Sequence, residues 1–306
     1  MILDRNIAAF GYTWGHEEDI GIAVRRAEKA AQAEKAKYYA AIEKTKGVRP
    51  SSVELLLQEF RDSTFVPYLQ PLYSIQNDTV YGAEVLVRKV DSDGHTHFPQ
   101  DFVSIMEREG MISMVDLEML QQACELLQQW KTAWPELTLN VNVSRFTLSE
   151  PDYLTRVDKI IAETGADPTR LVFEVTESFM EINLDSLSDV LNGLVSRGIT
   201  VAIDDFGVNA SNLNALGLSQ FSIAKLDKSL IDQAEHSERM QYVVKAAIEL
   251  CHDLNMLCVA EGIETDNQIE LLKKLGCNCL QGYLIGKPMP AADFFHQFGE
   301  AALHKK

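Results

Sequence analysis

Leu171-Val172-Phe173-Glu174-Val175-Thr176, the amphipathic stretch 184–195, and then Thr200-Val201-Ala202-Ile203, terminated by Asp204-Asp205, decide the fold. Both short segments are apolar at nearly every position. Strands of that kind are buried on both faces, which is the mark of a parallel sheet covered by helices on each side. The pattern extends outward in both directions. Strand candidates Val66–Ile75, Tyr81–Val90 and Leu137–Val143 precede it, and Ile223–Asp227, Met256–Ala260 and Cys277–Leu284 follow. Helical periodicity fills the gaps at Leu117–Trp130, Asp152–Glu163, Met240–Leu254 and Asp266–Leu275. Eight strands spread over about 240 residues predict an α/β fold of the TIM-like (β/α)₈ barrel type. The first two candidates are separated only by a turn around Gln76-Asn77-Asp78, which predicts a hairpin and therefore an irregular, antiparallel first strand.

Upstream of the barrel the composition changes. Ile20 to Lys46 is rich in Ala, Glu, Lys and Arg and reads as one long, mostly exposed helix, ended by Gly47 and Pro50. Arg49-Pro50-Ser51-Ser52 marks a boundary, with Ser52 placed to cap a short helix over Val53–Phe60. The expected organisation is an N-terminal helical segment, 1–60, followed by a barrel domain, 61–306.

The 306 residues are 46% hydrophobic and 24% charged, with a mean hydropathy of -0.09, which excludes a chain disordered throughout. No apolar run reaches the roughly 18 residues of a membrane helix. The N-terminus has no cationic and apolar signal pattern, so a cytoplasmic location is expected. Forty-five acids against 28 bases give a net charge of -17, which repels polymeric nucleic acid. A small anionic substrate would need cations to neutralise its site. Five irregularly spaced cysteines fit reduced thiols rather than a disulfide framework.

The informative residues are the polar ones that interrupt apolar strands. Glu84, Asn142, Glu174, Asp204 and Asp205, Lys225, Glu261 and Gln281 sit within or at the ends of successive strand candidates. Strand C-termini converge on one mouth of a barrel, where active sites are built. Any one of these acids alone reads as a helix cap or a solvated loop residue. Together, carboxylates in a small volume repel one another unless protonated or neutralised. Oxygen donors without a Cys/His set suit hard divalent ions such as Mg²⁺ or Mn²⁺, and bridging carboxylates permit a two-metal site suited to displacement at phosphorus. Glu84 and Arg88 share a strand face, so Arg88 can meet an anionic oxygen. Lys225 and Asp227 share a face too, whereas Glu174 and Glu177 do not; Glu174 is then the ligand and Glu177 a residue supporting a neighbouring loop.

From about Phe65 to Pro290 the chain resembles the EAL-domain cyclic di-GMP phosphodiesterases. The resemblance rests on Gln70-Pro71, Glu84-Val85-Leu86-Val87-Arg88, Asn142-Val143-Ser144, Glu174-Val175-Thr176-Glu177, Asp204-Asp205-Phe206-Gly207, Lys225-Leu226-Asp227, Glu261-Gly262-Ile263-Glu264-Thr265 and Gln281-Gly282-Tyr283, in that order. The name-giving triplet reads Glu-Val-Leu here. The resemblance implies an eight-stranded barrel with a reversed first strand. It assigns a first metal to Glu84, Asn142, Glu174 and Asp204, and a second to Asp204, Asp205 and Glu261. Lys225 would orient or help deprotonate the attacking water, Gln281 would position water or substrate, and Gln70 and Arg88 would bind substrate. The implied reaction is metal-dependent hydrolysis of cyclic di-GMP to linear pGpG, with Mg²⁺ or Mn²⁺ active and Ca²⁺ inhibitory, in a cytoplasmic homodimer.

Two features depart from this pattern or add to it. Where the family has Thr-Gly-Tyr/Phe-Ser-Ser, this chain has Val208-Asn209-Ala210-Ser211-Asn212, so a catalytically weak cyclic di-GMP receptor is the competing expectation. An unrelated metal-dependent barrel enzyme, an aldolase or isomerase, is a third reading that the motif order disfavours. The N-terminal helix reads first as a solvated linker; a faint resemblance to the last helix of a diguanylate cyclase domain, with no cyclase signature present, is the alternative, and it would make the chain the tail of a longer sensor protein. His95-Thr96-His97 reads as an exposed turn rather than a metal pair, Cys277-Asn278-Cys279 as core, and the aromatic and Met residues at Phe179-Met180 and Met111 to Met119 as core or dimer contacts.

Overall fold

The computed structural model describes residues 64–91, 93–176, 184–207 and 216–300. The helices expected at the N-terminus, Glu177, Phe179-Met180 and the Val208–Asn212 stretch lie outside the described residues. All those described belong to one unit, Glu59–Lys306.

β1 (Thr64–Ser74) and β2 (Thr79–Val90) form the expected hairpin, with Gln70 opposite Glu84. The two-residue β3 (Thr96–His97) folds back on Lys89 and Val90. Helices α1 (Pro99–Arg108) and α2 (Ile112–Trp130) follow. Then β4 (Thr138–Asn142), β5 (Leu171–Thr176), β6 (Thr200–Phe206), β7 (Phe221–Leu226), β8 (Leu257–Ala260) and β9 (Cys279–Leu280) run in order. Between them lie α3 (Arg145–Leu148), α4 (Tyr153–Thr164), α5 (Leu184–Val195), α6 (Lys228–His236), α7 (Glu238–Asp253) and α8 (Asp266–Leu275). β10 (Met289–Pro290) and α9 (Ala291–Phe294) close the described chain.

β2 and β4 to β9 are parallel neighbours in sequence order, and β1 runs antiparallel to both β2 and β9. The result is a closed eight-stranded barrel with one reversed strand. The burial that strand composition demands is realised: Leu171 to Val175 are buried without a break. The helices are bounded by local chemistry. Asp227 and Thr265 cap α6 and α8 through side-chain oxygens, and Gly165 and Gly276 end α4 and α8 in the left-handed region.

Four local expectations change. The strand expected over Cys277–Leu284 is only Cys279–Leu280. Beyond it Gly282 packs against the Ile263 backbone, where a Cβ would lie 2.1 Å from the Ile263 nitrogen, and Ile263 donates its N–H to the Gln281 carbonyl. The strand expected to stop at Ile203 runs on through Phe206, with its register to β7 broken between Ile203 and Phe206. Asp227 does not join Lys225, because its carboxylate accepts the Ser229 N–H at 2.9 Å. Thr96 and His97 form β3 rather than a pure turn, and His97 pairs with Asp91 at 3.0 Å. The cysteines are all buried and unbonded to one another, as expected of reduced core thiols. Met111 and Met119 are core residues.

The lower half of the barrel interior is an apolar layer of Leu72, Val172, Ala202, Ile223, Val259 and Cys279, with Tyr81 packed against it. Among the described residues no helix is long and apolar enough to cross a membrane.

Candidate metal centre

Side chains alternate along a strand, so the residue two positions beyond an inward-facing one also faces inward, one level higher. Applied to the apolar layer, this rule leads from Val172 to Glu174, Ala202 to Asp204, Ile223 to Lys225, Val259 to Glu261 and Cys279 to Gln281. On the reversed β1 it leads two residues back, from Leu72 to Gln70. Strand direction and pleat therefore deliver one polar group per strand to the same mouth.

The Lys225 ammonium, 1% exposed, stands among four carboxylates. It is 2.6 Å from Glu261, 2.7 Å from Glu174, 3.2 Å from Asp204 and 3.3 Å from Glu84. Asn142 donates to Glu84 Oε1 at 2.7 Å, Gln281 to Glu84 Oε2 at 2.6 Å, and Asn140 to Glu174 Oε1 at 2.6 Å. Gln281 also donates to Gln70 at 3.2 Å, and Gln70 to the Gly286 carbonyl at 3.3 Å. The turn after Asn142 is tied to α2, because Ser144 N–H donates to Asp116 at 2.9 Å.

Asp205 enters by a different route. Adjacent strand residues normally face opposite sides, yet oxygens of Asp204, Asp205 and Glu261 all lie within 4.8 Å of one another. The irregularity in β6 accounts for this. Asp205 is in the left-handed region at φ 55°, and Gly207 follows at φ 96°. Asp tolerates that region better than most residues, and a local break in the ladder re-aims a side chain.

The electrostatics are unbalanced. Burial and the neighbouring carboxylates push Glu174 well above the usual range, Asp205 to about 6 and Glu261 to about 8, although Lys225 pulls the other way. Glu84 is also buried, but Lys225, Gln281 and Asn142 hold it below its ordinary value. Burial works against the Lys225 charge, yet the surrounding acids raise its pKa well above normal. Its three N–H donors cannot satisfy four carboxylates. Accordingly Asp204 Oδ1, though close to Nζ, is buried without a hydrogen bond, as is Gln281 Oε1. Hard oxygen donors, excess negative charge and an unfilled acceptor fit Mg²⁺ or Mn²⁺.

Arg88 lies further along β2 at the rim. Its guanidinium is held between the rings of Tyr68 and Phe98, 5.2 and 5.0 Å from their centroids, and its buried Nε has no partner. Beside the carboxylates opens a cavity of about 350 Å³, lined in part by Gln70, Glu84, Glu261, Gln281 and Tyr283. The structure thus brings together every site residue expected from the sequence that lies within the described residues, with Arg88 at the rim. The reading of strand ends missed Asn140, which sits mid-strand, and the aromatic clamp on Arg88.

The chain belongs to the EAL domain family, whose profile matches residues 53–288. It is 31% identical over 237 residues to the bifunctional diguanylate cyclase/cyclic di-GMP phosphodiesterase MucR of Pseudomonas aeruginosa, covering 77% of this chain and 35% of that protein. It is 30% identical over 269 residues to the signaling protein YkoW of Bacillus subtilis, covering 88% and 34%. The c-di-GMP complex of the PaMucR phosphodiesterase superposes with a TM-score of 0.72 at 31% identity, covering 79% of this chain and 98% of that one. The chain spans about a third of the length of these curated relatives.

Proposed function

We propose that this chain hydrolyses one phosphodiester of cyclic di-GMP to give linear pGpG, with Mg²⁺ or Mn²⁺ as cofactor. The observation that carries the reading is the meeting of Asp204, Asp205 and Glu261 beside Lys225 at the mouth of an EAL barrel. Glu84, Asn142, Glu174 and Asp204 would hold one cation, and Asp204, Asp205 and Glu261 a second. Bound there, divalent ions lower the pKa of a water and neutralise charge on phosphoryl oxygens. The protein's own groups do the rest. Lys225, kept charged by its acids, orients a water by its positive charge rather than removing its proton. Gln281 bridges Glu84 and Gln70 and so aligns the centre with the substrate side of the mouth. Arg88, fixed by two rings, presents a preorganised cation to a phosphate oxygen.

A domain boundary near residue 60, a cytoplasmic homodimer, and Glu177 as an anchor for the loop after β6 complete the reading. The test is incubation of the purified chain with cyclic di-GMP and Mg²⁺ or Mn²⁺. Formation of pGpG that EDTA abolishes and Ca²⁺ does not support is expected. Tight binding of the dinucleotide without product would instead favour the receptor reading that the Val208–Asn212 sequence raises.

A further inference from the structure

β4 carries two inward carboxamides, Asn140 and Asn142, and only the second stands at the polar level. By register Asn140 lies beside Val172 on β5, while Asn142 lies beside Glu174. Asn140 therefore occupies, on β4, the level that β1 and β5 to β9 fill with Leu72, Val172, Ala202, Ile223, Val259 and Cys279. It is 1% exposed. A carboxamide in such a layer is costly, and here the cost is only half offset, because Oδ1 is buried without a hydrogen bond. Packing alone would favour Val or Leu.

What Asn140 gains is one bond. Its Nδ2 donates to Glu174 Oε1 at 2.6 Å, while Lys225 holds Oε2 at 2.7 Å. Both oxygens of Glu174 are thereby pinned from different directions. The arrangement matches that around Glu84, where Asn142 holds Oε1 and Gln281 holds Oε2. Glu174 has the greater need of such a hold. It is fully buried in the interior and faces Glu84, Asp204 and Glu261 across Lys225. A carboxylate repelled by three others turns to another rotamer unless something fixes it, and an acceptor-only group can be fixed only by donors.

We propose that Asn140 is a positioning residue that fixes the carboxylate of Glu174 and so sets how tightly the centre binds its divalent cation. This rests on the metal centre of the proposed function and names a residue that reading does not use. Asn140 touches neither substrate nor cation and acts through Glu174 alone. The prediction is specific: loss of its N–H weakens cation binding without weakening the barrel.

The experiment is calorimetric titration of Mn²⁺ into the full chain without substrate, comparing the parent with Asn140→Leu, which keeps the branched shape at a larger volume and removes the donor. Apparent affinity should fall about tenfold, a change that a packing residue would not produce, while the melting temperature in EDTA stays level or rises. Activity at saturating Mn²⁺ should remain within about threefold of the parent. The same substitution in a Glu174→Gln background should add nothing, since the two residues act as one unit. Should Asn140→Leu fail to fold, Asn140→Ala serves in the same titrations. Parent-like affinity in the folded variant, or full additivity with Glu174→Gln, would overturn the proposal. A parent that binds Mn²⁺ but does not hydrolyse cyclic di-GMP would overturn the phosphodiesterase reading and leave the Asn140 test intact.

Discussion

At the level of Leu72, Val172, Ala202, Ile223, Val259 and Cys279 the barrel interior is closed by apolar side chains. Two residues along the same strands stand Gln70, Glu174, Asp204, Lys225, Glu261 and Gln281, all turned to one mouth. The two levels are built on the same strands, although Glu261 and Gln281 stand just past the ends of β8 and β9, and they differ most in side-chain chemistry. The lower level makes the barrel stable through burial. The upper level gathers charges that oppose one another, and it is tolerable because the layer beneath holds the strands in place. Stability and function should therefore separate by level.

The largest expected effect is at the mouth. Asp204→Asn or Glu261→Gln should reduce turnover by about a thousandfold or more, since each removes a carboxylate that the proposed metal centre needs. Removing one charge from a repelling set should leave the metal-free melting temperature unchanged or raised. Activity assays paired with thermal unfolding check this, and a matched loss of stability would erase the distinction. Leu72→Ala should do the reverse. It should cost about 2–5 kcal/mol of stability, while the folded fraction keeps parent-like Mn²⁺ affinity. Denaturant unfolding and calorimetry separate the two quantities.

A third class of acid sharpens the comparison. Asp116 on α2 is half-buried outside the barrel, and desolvation pushes its carboxyl up to about 6 despite hydrogen bonds from Thr147 and Ser144. An acid with a raised folded pKa binds its proton more tightly in the folded state. Its contribution is fully present below the unfolded value near 4 and is lost as pH rises through about 6. Asp116→Asn should flatten that fall, which amounts to about 3 kcal/mol for a shift of roughly two pKa units. Urea unfolding between pH 4 and pH 7 measures it; an unchanged slope in the variant would reject Asp116 as the titrating group. At the mouth, protons and cations compete for the same oxygens. Apparent Mn²⁺ affinity should therefore increase as pH rises toward 8, the value near which Glu261 loses its proton.

The smallest effect is at the rim. Phe98→Ala removes one face of the Arg88 clamp, an interaction of about 0.5–1 kcal/mol. The expected outcome is a few-fold rise in KM for cyclic di-GMP with kcat unchanged. A change in kcat instead would place Phe98 in the chemistry.

The upper level was legible in the sequence because each acid interrupts an apolar run near its end, and strand ends converge in a barrel. Asn140 was not, because a mid-strand Asn in Leu139-Asn140-Val141 gives no sign that its neighbour across the sheet is a buried carboxylate. Asp205 was expected at the site for its position, but its left-handed backbone depends on how β6 meets β7, which is a tertiary matter. The close approach of Gly282 to the Ile263 backbone is likewise a tertiary matter. Other omissions had local signals. Pro99 at the first turn of α1 with Asp101 two positions on, and Asp227 before Lys228-Ser229, are helix starts that chain chemistry alone announces.

The reversed first strand bears on how the barrel comes to be made. The hairpin of β1 and β2 joins neighbours in sequence and can form early, but the seam between β1 and β9 joins segments some two hundred residues apart and is short. Its register consists of Tyr73 with Leu280 and Ser74 with Cys279. Ordering so distant a pairing costs loop-closure entropy that the assembled remainder of the sheet helps offset, so this seam is expected to close late. Gln70 and Gln281, which meet across it above that pairing, have no partner in each other until then. An unfinished barrel therefore lacks the contact that ties Glu84, through Gln281, to Gln70 on β1.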